Sequence, residues 1–145
     1  MTSQHTNRAT FDRFVEFINT SDESIADEVI AEDAAFYAPG SDVPLNGPEG
    51  WLRVLRPMRA AFPDIRWEVL ETVAEDATIV ARFRVTATHR GDFMGIAPTG
   101  RSVTFDATNF YRFSNGKIIS ELGQPDLLSL FTQLGADPLG PTFSV

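Results

Sequence analysis

The stretch THRGDFMGIAPTGR, residues 88–101, separates two runs in which apolar and polar side chains alternate, and its reading decides the fold. Before it, Ile79, Ala81, Phe83, Val85, Ala87 and His89 share one face of a strand, with Arg82, Arg84, Thr86 and Thr88 opposite. After it, Val103, Phe105, Ala107, Asn109, Tyr111 and Phe113 form a second series, against Thr104, Asp106, Thr108 and Arg112. A period of two residues marks strands buried on one face. The stretch between them therefore predicts the loop of a long antiparallel hairpin, and its glycines are too spread out to cradle a phosphate. The same alternation carries His89 and Asn109 onto the inward faces, where a polar side chain needs a partner in the protein, water or a ligand.

Further strands flank this hairpin. Ile65, Trp67 and Val69 in FPDIRWEV (62–69) share a face, and SNGK (114–117) is a tight-turn signal leading into KIISELG. PDLLSLFTQLG (125–135) predicts a short closing helix, capped by Asp126 and ended by Gly135. Towards the N-terminus, Phe11, Phe14, Val15 and Ile18 follow helical spacing, with Phe17 widening the apolar face. A short helix is expected roughly over 23–30, then a short strand in AAFYAPG (34–40). A third helix in NGPEGWLRVLRPMRAAFPD (46–64) puts Trp51, Leu55, Met58 and Phe62 on one side. Pro48 suits its first turn, whereas Pro57 predicts a kink or break near Arg53 to Arg56. Residues 1–8 are expected to fray and 136–145 to form a C-terminal tail. The whole describes one α+β domain: a cone-like α+β barrel, its strongly curved and mostly antiparallel sheet wrapped around N-terminal helices and a central cavity.

Composition narrows the function classes. A chain of 145 residues that is 43% hydrophobic, with 12 Phe and 2 Trp, has the material for one sizeable core. A net charge of −8, with Lys117 the sole lysine, argues against general nucleic-acid binding. Arg53, Arg56 and Arg59 read as a solvated helix face. No window has the length and apolarity of a membrane span, and the N-terminus shows no apolar signal core, so the expected compartment is the cytoplasm. With no cysteine and two histidines, thiolate chemistry and an ordinary His-rich metal site are excluded. No G-x-S-x-G elbow, P-loop or dinucleotide fingerprint is present.

HRGDFMGIAPTGRSVTF (89–105), YRFSNGKIISE (111–121) and PDLLSLFTQLG (125–135), supported by FPDIRWEV and GPEGW, together resemble the SnoaL-like polyketide cyclases of the nuclear-transport-factor-two-like superfamily. The resemblance runs from about Phe11 to Gly135. It implies the cone fold, a homodimer formed through the outer sheet face, and ring closure by intramolecular aldol addition with no metal or organic cofactor. It also implies an Asp on the final strand as acid/base and a His on the preceding strand that binds or polarises the substrate. Anchored on the NGK turn and on Pro125-Asp126, the His position falls on Asn109 and the Asp position on Gly123.

Other residues must then supply the chemistry. By the two-residue period Ile119, Glu121 and Gly123 share a strand face, so Glu121 is the candidate base or acid. A carboxylate in an apolar cone has its pKa raised towards neutrality, as a general base requires. Asn109 can donate to a developing oxyanion, and His89 can act as a second donor or proton shuttle. Each has a plain structural reading too: Glu121 in solvent or paired with an arginine, Asn109 satisfying backbone groups, His89 held by loop carbonyls. Tyr37, Trp51, Trp67, Phe14, Phe17 and Phe105 belong first to the core and are the candidates to contact the substrate. Asp126 reads as a helix cap, and Asp106 faces away from the cavity. The leading expectation is a cofactor-free cyclase or isomerase acting on a small apolar polyketide-like or terpenoid-like carbonyl compound. Two alternatives remain: an epoxide hydrolase or water-adding relative, which needs an Asp–Arg–Asp cluster in the cavity, and a non-catalytic ligand-binding or dimerisation domain.

Overall fold

The computed structural model describes residues 3–136; most of the tail expected over 136–145 lies outside the described residues. The chain runs α1 (Ser3–Thr20), α2 (Ser24–Val29), β1 (Ile30–Tyr37), β2 (Leu45–Asn46), α3 (Gly47–Ala61), β3 (Arg66–Glu75), β4 (Thr78–Thr88), β5 (Ser102–Ser114), β6 (Lys117–Pro125) and α4 (Leu127–Gln133). The six strands form one curved, unclosed sheet in the order β2-β1-β6-β5-β4-β3, antiparallel throughout except for the parallel pair β1–β6. This is the α+β cone expected from the alternation. Its inner face carries Ile79, Ala81, Phe83, Val85 and Ala87 of β4 and Val103, Phe105, Tyr111 and Phe113 of β5, all buried in the core cluster that also holds Phe11, Phe14 and Phe17 of α1.

Several local expectations change. Helix α1 begins at Ser3, inside the stretch expected to fray, because Asn7 is already buried against the body. Helix α3 continues unbroken through Pro57. Proline removes one helical hydrogen bond, and the burial of Trp51 and Leu52 with the packing of Leu55 and Met58 on the core outweighs that loss. The turn after β5 uses Asn115 (φ 52°) and Gly116 (φ 74°), the left-handed pair a tight hairpin requires. Asp126 caps α4 by accepting from the Ser129 N–H at 3.0 Å.

The main departure lies in β6. Arg112 pairs with Ser120, but Phe113 pairs with Ile118, leaving Ile119 as the extra residue of a bulge. Ile118 is therefore fully buried, while Ile119 is 38% exposed and does not share the face of Glu121 and Gly123. A two-residue count cannot register one inserted residue. The long loop after β4 is tied down at its root: the His89 N–H donates to Arg101 O at 2.9 Å and the Gly100 N–H to His89 O at 2.8 Å. It then docks on the end of α3, where Arg90 and Gly91 both donate to Ala61 O. Among the described residues no helix is long and apolar enough to cross a membrane.

Helix α3 starts where β2 ends, and Gly47 makes that junction possible. Its φ is +69°, and a Cβ there would sit 2.6 Å from Glu32 O of β1. Gly47→Ala should cost at least about 1–2 kcal/mol through its backbone conformation alone. Gly123→Ala should be close to neutral, since its Cβ would make only an ordinary 3.5 Å contact with Asn109 Oδ1. Denaturant melts of the two variants check the contrast, and equal losses would contradict it.

Candidate active site

Three adjacent strands meet at one carboxylate. In the parallel pair Glu121 lies beside Phe36, and in the antiparallel pair it lies opposite Tyr111, while Gly123 lies opposite Asn109. Glu121 is 5% exposed. Buried this deeply, a carboxylate must be hydrogen-bonded. The Trp51 indole Nε1–H of α3 donates to Oε1 at 2.6 Å, and the Asn109 amide Nδ2 donates to Oε2 at 3.2 Å. Tyr111 stands directly across the strand pair from Glu121, its hydroxyl reached by the same Asn109 nitrogen. The amide of Asn109 is oriented from behind, since its Oδ1 accepts the Gln124 N–H at 3.1 Å, and its Nδ2 also reaches the Tyr111 hydroxyl at 3.2 Å.

Aromatic packing fixes the donors. Phe36 stacks on Trp51 with ring centroids 5.0 Å apart, and Tyr111 takes edge contacts from Phe11 at 5.4 Å and Phe14 at 5.2 Å. Burial pushes the Glu121 carboxyl up to about 7, against the partial counter-pull of its Tyr111, Trp51 and Asn109 bonds. Burial, and then the neighbouring Glu121 charge, pushes the Tyr111 phenol well above its ordinary value.

This cluster forms the polar end of a cavity of about 250 Å³. The remaining wall is apolar: Phe14, Ile18 and Phe36, the α3 side chains Val54, Leu55 and Met58, then Trp67, Phe93, Met94 and Phe105, closed by Leu127 and Leu130. Among the described residues neither lysine, arginine nor histidine lines it, and Glu121 is its single carboxylate. Among the described residues no group of three or more His, Cys, Asp and Glu side chains is placed to hold a metal ion.

The structure thus brings Glu121 and Asn109 together and lines the same cavity with Phe14, Trp51, Trp67 and Phe105. His89 is not part of that cluster. It is fully buried at the root of the long loop, where Nδ1 accepts the Thr99 N–H at 3.2 Å and its ring lies 5.4 Å from that of Phe62. Its Nε2 is buried with no hydrogen-bond partner among the described residues. Phe17 is buried too, but lines a separate groove between α1 and α3 with Leu52 and Arg59. Tyr37 is on the other side of the sheet, beside Phe110 and Leu122; its neighbour Phe36 is the residue that faces inward. Arg82 and Arg84 pair with Asp106 on the outer face, and among the described residues no Asp–Arg–Asp cluster lines the cavity. Tyr111 escaped the sequence reading as a functional residue, although it stands in the inward series beside Asn109. Only the register that sets it opposite Glu121 distinguishes it from a core aromatic.

Residues 9–134 match the protein family described as SnoaL-like polyketide cyclase. The chain belongs to this family. Among its relatives is the aklanonic acid methyl ester cyclase DnrD of Streptomyces peucetius, 27% identical over 85% of this chain and 86% of that protein. In structure the chain is similar to IdmH of Streptomyces antibioticus, a candidate polyketide cyclase (TM-score 0.80, 30% identity, 90% of this chain and 99% of IdmH). It is also similar to AclR of Streptomyces galilaeus, a candidate hydroxylase (TM-score 0.80, 29% identity, 94% of this chain and 85% of AclR). The SnoaL-like fold therefore joins this chain to proteins described by different reactions.

The buried carboxyl leaves a mark on stability. Its pKa rises from 4.5 unfolded to about 7 folded, so folding favours the protonated form. The resulting stabilisation is complete below about pH 4.5 and is lost as the pH rises through 7, a change of about 3 kcal/mol. Asp64, held down by the Thr88 hydroxyl, and Asp106, held down by Arg84, act with the opposite sign and only in acid. Denaturant melts from pH 5 to 8 should show stability falling in the wild type. Glu121→Gln should flatten that fall; an unchanged slope would mean that Glu121 is not the group responsible.

Proposed function

We propose that this protein is a cofactor-independent enzyme that cyclises or isomerises a small apolar polyketide-like or terpenoid-like carbonyl compound, with Glu121 as general base. One observation carries this reading: among the described residues the cavity has a single carboxylate, buried at its polar end and poised near neutral pH, in an otherwise apolar wall. The name of the Streptomyces peucetius relative, a methyl ester cyclase, supports the reaction class.

The carboxylate of Glu121 takes a proton from the carbon next to a carbonyl, and the C–H electron pair becomes the enolate. For cyclisation the enolate carbon attacks a second carbonyl carbon, a C–C bond forms, and the new alkoxide receives the proton back. For isomerisation the proton returns to a different carbon. Asn109 supplies a neutral N–H donor beside the base, its amide oriented by the Gln124 N–H bond to Oδ1. The apolar wall excludes water, which strengthens every such contact.

As a probe, 2-tetralone is a compact two-ring ketone suited to a cavity of about 250 Å³. Its α-proton exchange in D₂O, followed by NMR, should be catalysed by the protein. The rate should rise with pH through about 7, because only the deprotonated carboxylate is a base. Glu121→Gln should lower it at least about 10²-fold, and near-normal exchange by that variant would remove Glu121 from this role.

We also propose that two copies pair through the outer sheet face, as a homodimer. Supporting this, Phe110 is 41% and Leu122 45% exposed, side by side with Tyr37 on that face. Light scattering should give twice the chain mass, and Phe110→Lys with Leu122→Lys should return a folded monomer. A wild-type monomer at micromolar concentration would count against the pairing.

A further inference from the structure

Glu121 in the base role above leaves one question of proton geometry. In cyclisation the proton taken from carbon must reach an oxygen, and a single carboxyl held on both oxygens by Trp51 and Asn109 has little freedom to swing between the two. We propose that the Tyr111 hydroxyl is a second catalytic group, delivering a proton to the substrate oxygen and recovering it from Glu121, its partner directly across the strand pair. This rests on the reading of Glu121 as the base.

Four observations converge on Tyr111. It lines the same cavity as Glu121. It sits directly across the strand pair from Glu121, and Asn109 Nδ2 stands 3.2 Å from both the Tyr111 hydroxyl and Glu121 Oε2. Its ring is clamped by Phe11 and Phe14, so the hydroxyl can rotate its hydrogen while its oxygen stays in place. Its oxygen already accepts a hydrogen bond from Asn109 Nδ2 at 3.2 Å, which leaves the hydroxyl hydrogen to point at Glu121 or into the cavity.

Those constraints impose an order of events. While Glu121 is ionised it accepts only, and the Tyr111 hydrogen is drawn to it. Once Glu121 has taken the proton from carbon, it becomes a donor, and two donors cannot share one hydrogen bond. The bond reverses, the Glu121 O–H pointing at the Tyr111 oxygen and the Tyr111 O–H turning to the substrate oxygen. The new alkoxide then takes the tyrosine proton as the Glu121 proton moves onto the phenol oxygen. The C–H bond breaks and a substrate O–H bond forms, both side chains return to their starting states, and no further reactant is consumed. A free phenolate is avoided, in keeping with the strong bias of this buried phenol towards its neutral form.

The test measures α-proton exchange of 2-tetralone in D₂O by the whole protein and three variants. Tyr111→Phe, which removes only the hydroxyl, should lower the rate about 10²-fold with little change in the concentration for half-maximal rate. Its pH profile should move up, because a donor to the Glu121 carboxylate is gone. Tyr37→Phe, at the other of the two tyrosines, should behave as wild type. Glu121→Gln combined with Tyr111→Phe should be no worse than the worse single variant, as expected of groups acting as a unit. If Tyr111→Phe exchanges within about threefold of wild type while Glu121→Gln is inactive, the relay is overturned and the base reading stands. Near-normal exchange by Glu121→Gln overturns both, as does a wild type no faster than buffer. Should Tyr111→Phe not fold, 3-fluorotyrosine incorporated in the Tyr37→Phe background keeps the shape but makes the position-111 hydroxyl more acidic. The relay then requires a severalfold change in rate, and an unchanged rate and pH profile overturn it.

Discussion

A carboxylate buried to 5% exposure at the centre of an apolar cone organises everything around it. Such a group is tolerated only when neutralised or surrounded by donors, and here the donors come from two separate elements. Trp51 is carried by α3, Asn109 and Tyr111 by β5, and Glu121 itself by β6. Their hydrogen bonds tie the helix that closes the cone to the strands that form its wall. The unusual start of α3, a glycine in left-handed conformation pressed against β1, follows from the need to bring Trp51 this close. Phe36 then fills the flank of the indole, so the donor is held by packing as well as by its bond.

The bulge at Ile119 is the second constraint. Between the tight turn at Asn115-Gly116 and Glu121 the strand must present Ile118 to the core and still deliver Glu121 to the same side. A regular strand cannot do both, because those residues are three apart and side chains alternate. One extra residue corrects the phase and sends Ile119 outward, adding to the apolar outer face that already carries Phe110 and Leu122.

These two constraints explain how much could be read from the chain itself. The alternation of β4 and β5 needs no correction over their whole length, since both lie in the middle of the sheet and are paired without a register shift. It yielded the fold, the inward placement of Asn109 and the outward placement of Asp106. What escaped depends on single-residue phase or on tertiary neighbours. Tyr37 and Phe36 exchange roles because β1 joins the sheet as a parallel partner of β6, a register set by distant residues. His89 continues the inward series of β4 but lies just beyond the strand, where the returning loop captures its ring nitrogen through Thr99. Tyr111 looks like any buried aromatic until its opposite number is known to be acidic.

Gly123 and Asn109, the positions at which the resemblance places an acid and a histidine, are coupled in space. They are partners across β5 and β6, and Gly123 has no backbone conformation that demands glycine. What its missing side chain does provide is space. A Cβ at 123 would touch the Asn109 amide at 3.5 Å, and a longer acidic side chain would need the volume that amide now occupies. With position 123 empty, Asn109 accepts the Gln124 N–H on one side and directs its N–H groups at Glu121 and Tyr111 on the other. Glu121 stands two residues before Gly123 on the same strand face, about 6–7 Å away, with the Asn109 amide as one of its donors. The open position at 123 and the donor-supported, desolvated carboxyl beside it are thus two parts of one packing arrangement.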